Sequence, residues 1–142
     1  MVYRDRVVAA ALEVDGRGLL TDAPWMPRVL VVDDEVPLGE YLADALHGAG
    51  YDVEVVGTAI AGITAARARR PDVILLDLGL PGGFSGEQAM PELLRFAPVI
   101  IITGREDDDL ARRLIADGAS AYLRKPFALG ALLNMVKAAA GG

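Results

Sequence analysis

From Arg28 onward the chain alternates between two hydrophobic patterns: short unbroken apolar runs, and longer stretches with apolar residues three and four apart. The first pattern marks strands buried on both faces, the second amphipathic helices. Val29-Leu30-Val31-Val32 is a run of the first kind and ends at Asp33-Asp34-Glu35. Pro37 then falls in the first turn of a helix, where its missing N–H costs nothing. Leu38, Leu42, Ala45, Leu46 and Ala49 recur at helical spacing, and Gly48 and Gly50 close the helix, Gly50 as the left-handed cap. Tyr51 to Val56 alternates as a second strand. Ala59 to Arg70 reads as a helix whose basic end (Arg67, Arg69, Arg70) complements the macrodipole. Pro71 blocks its continuation, and Val73-Ile74-Leu75-Leu76 forms a third strand running into Asp77.

A glycine-rich loop, Gly79 to Gly86, leads to a short helix around Glu87 to Phe96, which Pro91 should shorten or kink. Pro98 introduces a fourth strand, Val99 to Ile102, ending at Thr103-Gly104. Asp107, Asp108 and Asp109 offer N-caps for a helix through Ala116 closed by Gly118. A fifth strand, Ser120 to Leu123, ends at Arg124-Lys125-Pro126. The last helix runs from about Ala128 to Ala140, with Leu129, Leu132, Leu133 and Val136 inward and Gly130 a weak point. Five strands alternating with five helices require parallel pairing through right-handed crossovers. The predicted fold is α/β, a doubly wound five-stranded parallel sheet with helices on both faces.

Residues 1–27 stand apart as an N-terminal extension or linker, with the domain at 28–142. Asp5 to Val14 reads either as a helix capped by Asp5 or as one arm of a hairpin through Asp15-Gly16-Arg17-Gly18 to Leu19-Leu20-Thr21; Ala content favours the helix, the Asp-Gly turn the hairpin. Pro24 and Pro27 bracket Trp25-Met26 as a linker, and Met26-Pro27-Arg28 offers an alternative start.

Composition narrows the function. The chain of 142 residues, 53% hydrophobic and 24% charged, suits one domain with one core. No apolar run approaches the roughly 20 residues that span a bilayer. Val7 to Leu12, ended by Glu13, is too short for a signal peptide. The expected compartment is the cytoplasm, with no membrane partner. Without cysteine there is no disulfide framework or thiolate metal site. The single histidine, His47, reads as a helix-surface residue and builds no histidine metal cluster. A net charge of −6 argues against direct nucleic-acid binding, which needs a basic face.

Parallel strands bring their carboxyl ends to one edge, where open α/β sheets bind ligands. Delivered there are Asp33 and Asp34, Asp77, Thr103 and Lys125. Each has a plainer reading: the acids as helix caps or turn residues, the threonine as a β-former, the lysine as a surface cation. Together they resist those readings. Crowded carboxylates repel unless a cation intervenes, and an oxygen-only donor set selects a hard ion, Mg²⁺. A lysine supplies a point charge for a phosphoryl oxygen and a threonine hydroxyl can donate to another. That is equipment for phosphoryl transfer. No GxxxxGK[ST] loop is present to hold a nucleotide.

Val31-Val32-Asp33-Asp34-Glu35, Leu75-Leu76-Asp77, Leu80-Pro81, Ile102-Thr103-Gly104 and Tyr122-Leu123-Arg124-Lys125-Pro126-Phe127, in that order and each but Leu80-Pro81 at a strand end, resemble the receiver domain of two-component response regulators. The resemblance covers roughly residues 28–140. It implies strand order 2-1-3-4-5, with Asp77 as acceptor of a phosphoryl group from a phosphohistidine on a sensor histidine kinase or histidine phosphotransfer protein. It further implies Mg²⁺ held by Asp33, Asp34, Asp77 and the Gly79 carbonyl, Lys125 on the phosphoryl group, and a cis peptide before Pro126. Thr103 would move toward the aspartyl phosphate and Tyr122 would swing inward, remodelling a face that binds a downstream protein. Three departures stand out: a slightly longer loop after Asp77, a step of only 26 residues from Asp77 to Thr103, and Pro91 in the helix between them. Gly79 and Arg105 occupy positions that vary in the family and tune phosphoryl lifetime.

The expected function is a stand-alone receiver, not an enzyme beyond its own phosphorylation and dephosphorylation, or else the receiver fragment of a larger regulator or hybrid kinase. A Mg²⁺-dependent phosphatase with an Asp nucleophile is the alternative of another class; such enzymes commonly carry an acid two residues after the nucleophile, where this chain has Gly79. A flavin or nucleotide binder on a similar fold would need a phosphate cradle where Asp33-Asp34-Glu35 stands.

Overall fold

The computed structural model describes residues 12–14, 20–22 and 26–141. Of the two readings of the N-terminal stretch, the hairpin is adopted where the chain is described. Strand β1 (Leu12–Val14) pairs antiparallel with β2 (Leu20–Asp22), Leu12 opposite Asp22 and Val14 opposite Leu20. The turn signal outweighs the Ala-rich propensity, so Leu12–Val14 does not end a helix. The Asp5 cap, the Asp15–Gly18 turn and the Pro24 to Trp25 linker lie outside the described residues.

The remaining strands are β3 (Arg28–Val32), β4 (Asp52–Val56), β5 (Val73–Asp77), β6 (Val99–Thr103) and β7 (Ala121–Arg124). They form one parallel sheet in the order β4-β3-β5-β6-β7, the 2-1-3-4-5 order expected. Every residue of β3, β5 and β6 is buried, as their unbroken apolar runs require. The helices are α1 (Val36–Gly48), α2 (Ala59–Ala68), α3 (Gly86–Leu93), α4 (Asp108–Ala116) and α5 (Leu129–Gly141).

The period of two along each strand divides the core into two layers. Val29, Val31, Val73, Leu75, Ile100 and Ile102 pack with Leu42 and Leu46 of α1 and Leu132 and Val136 of α5. Leu30, Val32, Ile74, Leu76, Val99 and Ile101 face α2, α3 and α4 through Ala59, Ala66, Ala89, Met90, Leu93, Leu110 and Leu114. At about 1.5–3 kcal/mol for each large apolar side chain taken fully out of water, this core outweighs the unfavourable charge that the sheet carries at one end. His47 is exposed, as read from the sequence.

Helix boundaries depart from the sequence reading where caps decide them. Gly50, at φ +100, supplies the left-handed residue after α1. The second helix stops at Ala68 rather than Arg70, because Arg69 is already extended. In α3 the Ser85 hydroxyl accepts from the Gln88 N–H while the Gln88 side chain accepts from the Ser85 N–H, a reciprocal box that starts the helix at Gly86. Pro91 sits inside this helix, which ends at Leu93 rather than Phe96, the shortening its missing donor predicts.

Gly86 is where the fold leaves no room for a side chain. A Cβ there would lie 2.3 Å from the Asp77 carbonyl oxygen and 2.8 Å from the Leu78 Cα. The first turn of α3 therefore rests directly on the backbone that presents Asp77.

Gly86→Ala is expected to destabilise the protein by about 1–3 kcal/mol through overpacking. Gly130→Ala, whose Cβ meets nothing within 4 Å, is expected to stabilise it by about 0.5 kcal/mol through the unfolded chain. Urea unfolding of the two variants beside the parent protein checks both signs.

Candidate phosphoryl-transfer site

The carboxyl edge of the sheet gathers the residues that the sequence placed there. Asp33 follows β3 directly; its N–H donates to the Val56 carbonyl at 2.9 Å, which ties the end of β3 to the end of β4. Its Oδ1 accepts from the Glu35 N–H at 2.9 Å, a local turn of the Asx kind. Glu35 is the N-cap of α1 and makes no side-chain capping bond, so neither Asp33 nor Asp34 is spent on capping that helix. Asp33 is buried and Asp34 exposed.

Asp77 is the last residue of β5 and is buried, with 6% of its surface exposed. Because Ser85 caps α3, the plain reading of Asp77 as a cap fails. Among the described residues its one local hydrogen bond is a long one, accepted by Oδ1 from the Gly79 N–H at 3.4 Å. Carboxylate oxygens of Asp33, Asp34 and Asp77 lie within 4.8 Å of one another.

Lys125 follows β7. Its Nζ donates to Asp33 Oδ2 at 3.0 Å and to Glu35 Oε1 at 2.9 Å, and it stands 3.7 Å from Asp77 Oδ2. The Lys125–Pro126 peptide is cis, as the resemblance implied. Thr103, the buried last residue of β6, accepts at Oγ1 from the Arg105 N–H at 3.2 Å, and its carbonyl accepts from the Lys125 N–H at 2.8 Å. Tyr122 packs its ring against the α2–α3–α4 layer. Its hydroxyl is buried and makes no hydrogen bond among the described residues. The inward swing expected of Tyr122 thus starts from a ring already packed inward.

The electrostatics follow from this crowding. Burial pushes the Asp77 carboxyl above its ordinary range; Lys125 opposes that rise, while the charges of Asp33 and Asp34 add to it. Burial alone would lower the Lys125 ammonium, but hydrogen bonds to Glu35 and Asp33 and the charge of Asp77 outweigh it and hold the lysine protonated. Burial, with the Asp107 charge next, raises the Tyr122 phenol.

Chemically, the arrangement is a buried carboxylate that caps no helix, a cation within reach of it, and an oxygen-only donor set suited to a hard divalent ion. Crowded, partly desolvated carboxylates with one lysine between them fit such an ion, since a further positive charge relieves their repulsion. Two contributors escaped the sequence reading. Glu35 was visible beside the paired aspartates, but its bond to Lys125 joins residues 90 apart in the chain. Gly86 carried only the signal of a glycine at a helix start.

The chain matches the family model of the response regulator receiver domain over residues 29–137. It is 36% identical over 116 residues to the KDP operon transcriptional regulatory protein KdpE of Escherichia coli, covering 80% of this chain and 51% of that protein. It is 37% identical over 113 residues to the DNA-binding response regulator MtrA of Mycobacterium tuberculosis, covering 78% and 49%. The chain thus spans about half the length of these curated relatives. Among solved structures, the signal receiver domain of a putative Luxo repressor protein from Vibrio parahaemolyticus superposes with a TM-score of 0.77 at 32% identity, covering 82% of this chain and 92% of that one. The chemotaxis protein CheY4 of Vibrio cholerae gives 0.72 at 28% identity, covering 81% and 99%. The match begins at β3 and runs into α5, taking in every strand end that builds the site, and this chain belongs to the response regulator receiver domain family.

Proposed function

We propose that this receiver domain is a phosphorylation switch whose acceptor is Asp77. An Asp77 oxygen attacks the phosphorus of a phosphohistidine on a sensor histidine kinase or phosphotransfer protein. The P–N bond breaks, and the imidazole leaves with the electron pair and takes a proton from solvent. The observation that carries this reading is a buried strand-end carboxylate that caps no helix and faces an ammonium at 3.7 Å. Lys125 would turn from Asp33 and Glu35 to the incoming phosphoryl oxygens as a point charge. Thr103 would move to donate its hydroxyl to one of those oxygens, with Tyr122 settling inward behind it, and that movement would change the surface offered to a downstream protein.

Asp33, Asp34 and Asp77, with the Gly79 carbonyl, would hold Mg²⁺. Bound there, Mg²⁺ supplies neutralising charge for the phosphoryl oxygens in the transition state. Gly79, two residues after Asp77, carries no side chain to act as a general acid, which weighs against a phosphatase. DNA binding belongs to MtrA as that protein is named; a net charge of −6 favours protein contacts for the present chain.

Incubated with Mg²⁺ and acetyl phosphate or phosphoramidate, the protein is expected to gain about 80 Da for one phosphoryl group, in an adduct stable to acid and labile to base. Asp77→Asn should abolish the adduct; an adduct unaffected by that change contradicts the assignment. Asp34→Ala should weaken Mg²⁺ binding by about tenfold or more, because ligand charge sets the affinity of such sites, and an unchanged affinity by titration calorimetry removes Asp34 from the metal site.

Stability should report the same crowding. A carboxyl whose folded-state pKa is raised contributes stability below its unfolded value and loses it as pH rises through the folded value. At neutral pH the ionised Asp77 therefore burdens the metal-free fold. Asp77→Asn should raise Tm at pH 7 without Mg²⁺, and the advantage should shrink as pH falls through the carboxylate range. A thermal melt in which Asp77→Asn is no more stable at pH 7 contradicts the raised pKa.

A further inference from the structure

Glu87 stands on the first turn of α3, outside the acidic site, yet it joins three parts of the chain. One carboxylate oxygen accepts from the Arg105 guanidinium at 2.7 Å and the other from Arg113 of α4 at 2.9 Å. Glu87 is the most shielded of the three, its side chain 27% exposed against 49% for Arg105 and 61% for Arg113. Its own position is fixed from behind. Gly86 donates its N–H to the Leu78 carbonyl at 3.2 Å, and the Ser85–Gln88 box sets the start of the helix. On the far side, the Arg105 N–H is the donor to Thr103 Oγ1. A second connection between acceptor and threonine therefore runs outside the site: Leu78 backbone, Gly86, Glu87, Arg105, Thr103.

We propose that Glu87 is a latch that holds the segment after Thr103 in its resting position and so limits how readily the switch responds at Asp77. The proposal rests on Asp77 being the phosphoacceptor. Movement of Thr103 toward a phosphoryl group draws the Arg105 backbone with it or breaks their hydrogen bond, and in the first case pulls the guanidinium against Glu87. Arg113 anchors the second oxygen to α4, so Glu87 cannot follow without giving up that bond. After burial, the charges of Asp107, Arg105, Arg124 and Glu87 bear on the Tyr122 phenol, so the same residues influence that side chain. Arg124 is itself ion-paired to Asp108 at the start of α4.

Glu87 acts through Arg105 and is a positioning residue. Partly exposed ion pairs shift a two-state equilibrium by at most about fivefold, a size that tunes a switch without locking it. The test is calorimetric titration of the full chain with beryllofluoride, a phosphoryl mimic, in Mg²⁺. Glu87→Gln keeps the shape and removes the charge, and should tighten binding by about two- to fivefold. Arg113→Gln, at an exposed position, should move it the same way by less. The gain should shrink as salt is raised, because these charges are screened. Without ligand, hydrogen exchange at the Arg105 amide should be faster in Glu87→Gln, a readout that general destabilisation would spread over the sheet instead. Unchanged or weaker beryllofluoride binding in folded Glu87→Gln, or in Arg113→Gln should the first variant not fold, overturns the latch while leaving the acceptor assignment intact. Failure of the parent protein to bind the mimic or to take a phosphoryl group at Asp77 overturns both.

Discussion

Three carboxylates held within 4.8 Å at one edge of an apolar sheet are the constraint on which the rest of the structure turns. In water they would separate. Here β3 and β5 are adjacent, paired from Val29 opposite Val73 to Val32 opposite Leu76, so Asp33 and Asp77 emerge side by side. The register is set by fully buried apolar side chains that a one-residue slip would turn to the wrong layer. Core packing therefore fixes the charge geometry, and the repulsion is borne by the fold. Lys125 offsets part of it from the end of β7, two strands away, and Glu35 and Asp33 in turn hold the lysine.

That balance leaves a site in tension with two ways to relax, a bound cation or a proton, and it gives Asp77, the proposed acceptor, a reason to be responsive. A carboxylate fully satisfied by backbone donors, as an N-cap is, has little to gain from new chemistry. Asp77 keeps one long bond to Gly79 and otherwise meets burial, the like charges of Asp33 and Asp34, and a single opposing charge, Lys125 at 3.7 Å. The backbone behind it is backed by α3, which Gly86 brings against it at a distance no side chain would permit. The loop between them, longer than the resemblance leads one to expect, crosses that short distance through Gly82 and Gly83, both at positive φ.

The sheet and the strand-end residues were legible because each rests on local information. Val29 to Val32, Val73 to Leu76 and Val99 to Ile102 are unbroken apolar runs between turn formers, and alternation with helices leaves one way to connect them. Asp33, Asp77, Thr103 and Lys125 then fall on one edge by topology alone. What escaped were contacts between side chains far apart in sequence: Glu35 with Lys125, and Glu87 with Arg105 and Arg113. A charged residue in a loop or first helical turn looks alike whether it is solvated or paired. The hairpin at Leu12–Val14 was one of two readings because Ala propensity and an Asp-Gly turn pull opposite ways over so short a stretch. Helix ends moved by a few residues where a cap, Ser85 or Arg69, decided the boundary.

The central claim is that the carboxylate at the end of β5, and no other of the clustered acids, takes the phosphoryl group. Borohydride reduction of the phosphorylated protein converts an acyl phosphate to the alcohol, turning the modified aspartate into homoserine. Peptide sequencing by mass spectrometry then locates it. Homoserine at position 77 alone is the predicted result. Homoserine at position 33 or 34, or none in a protein that has gained a phosphoryl group, would contradict the account.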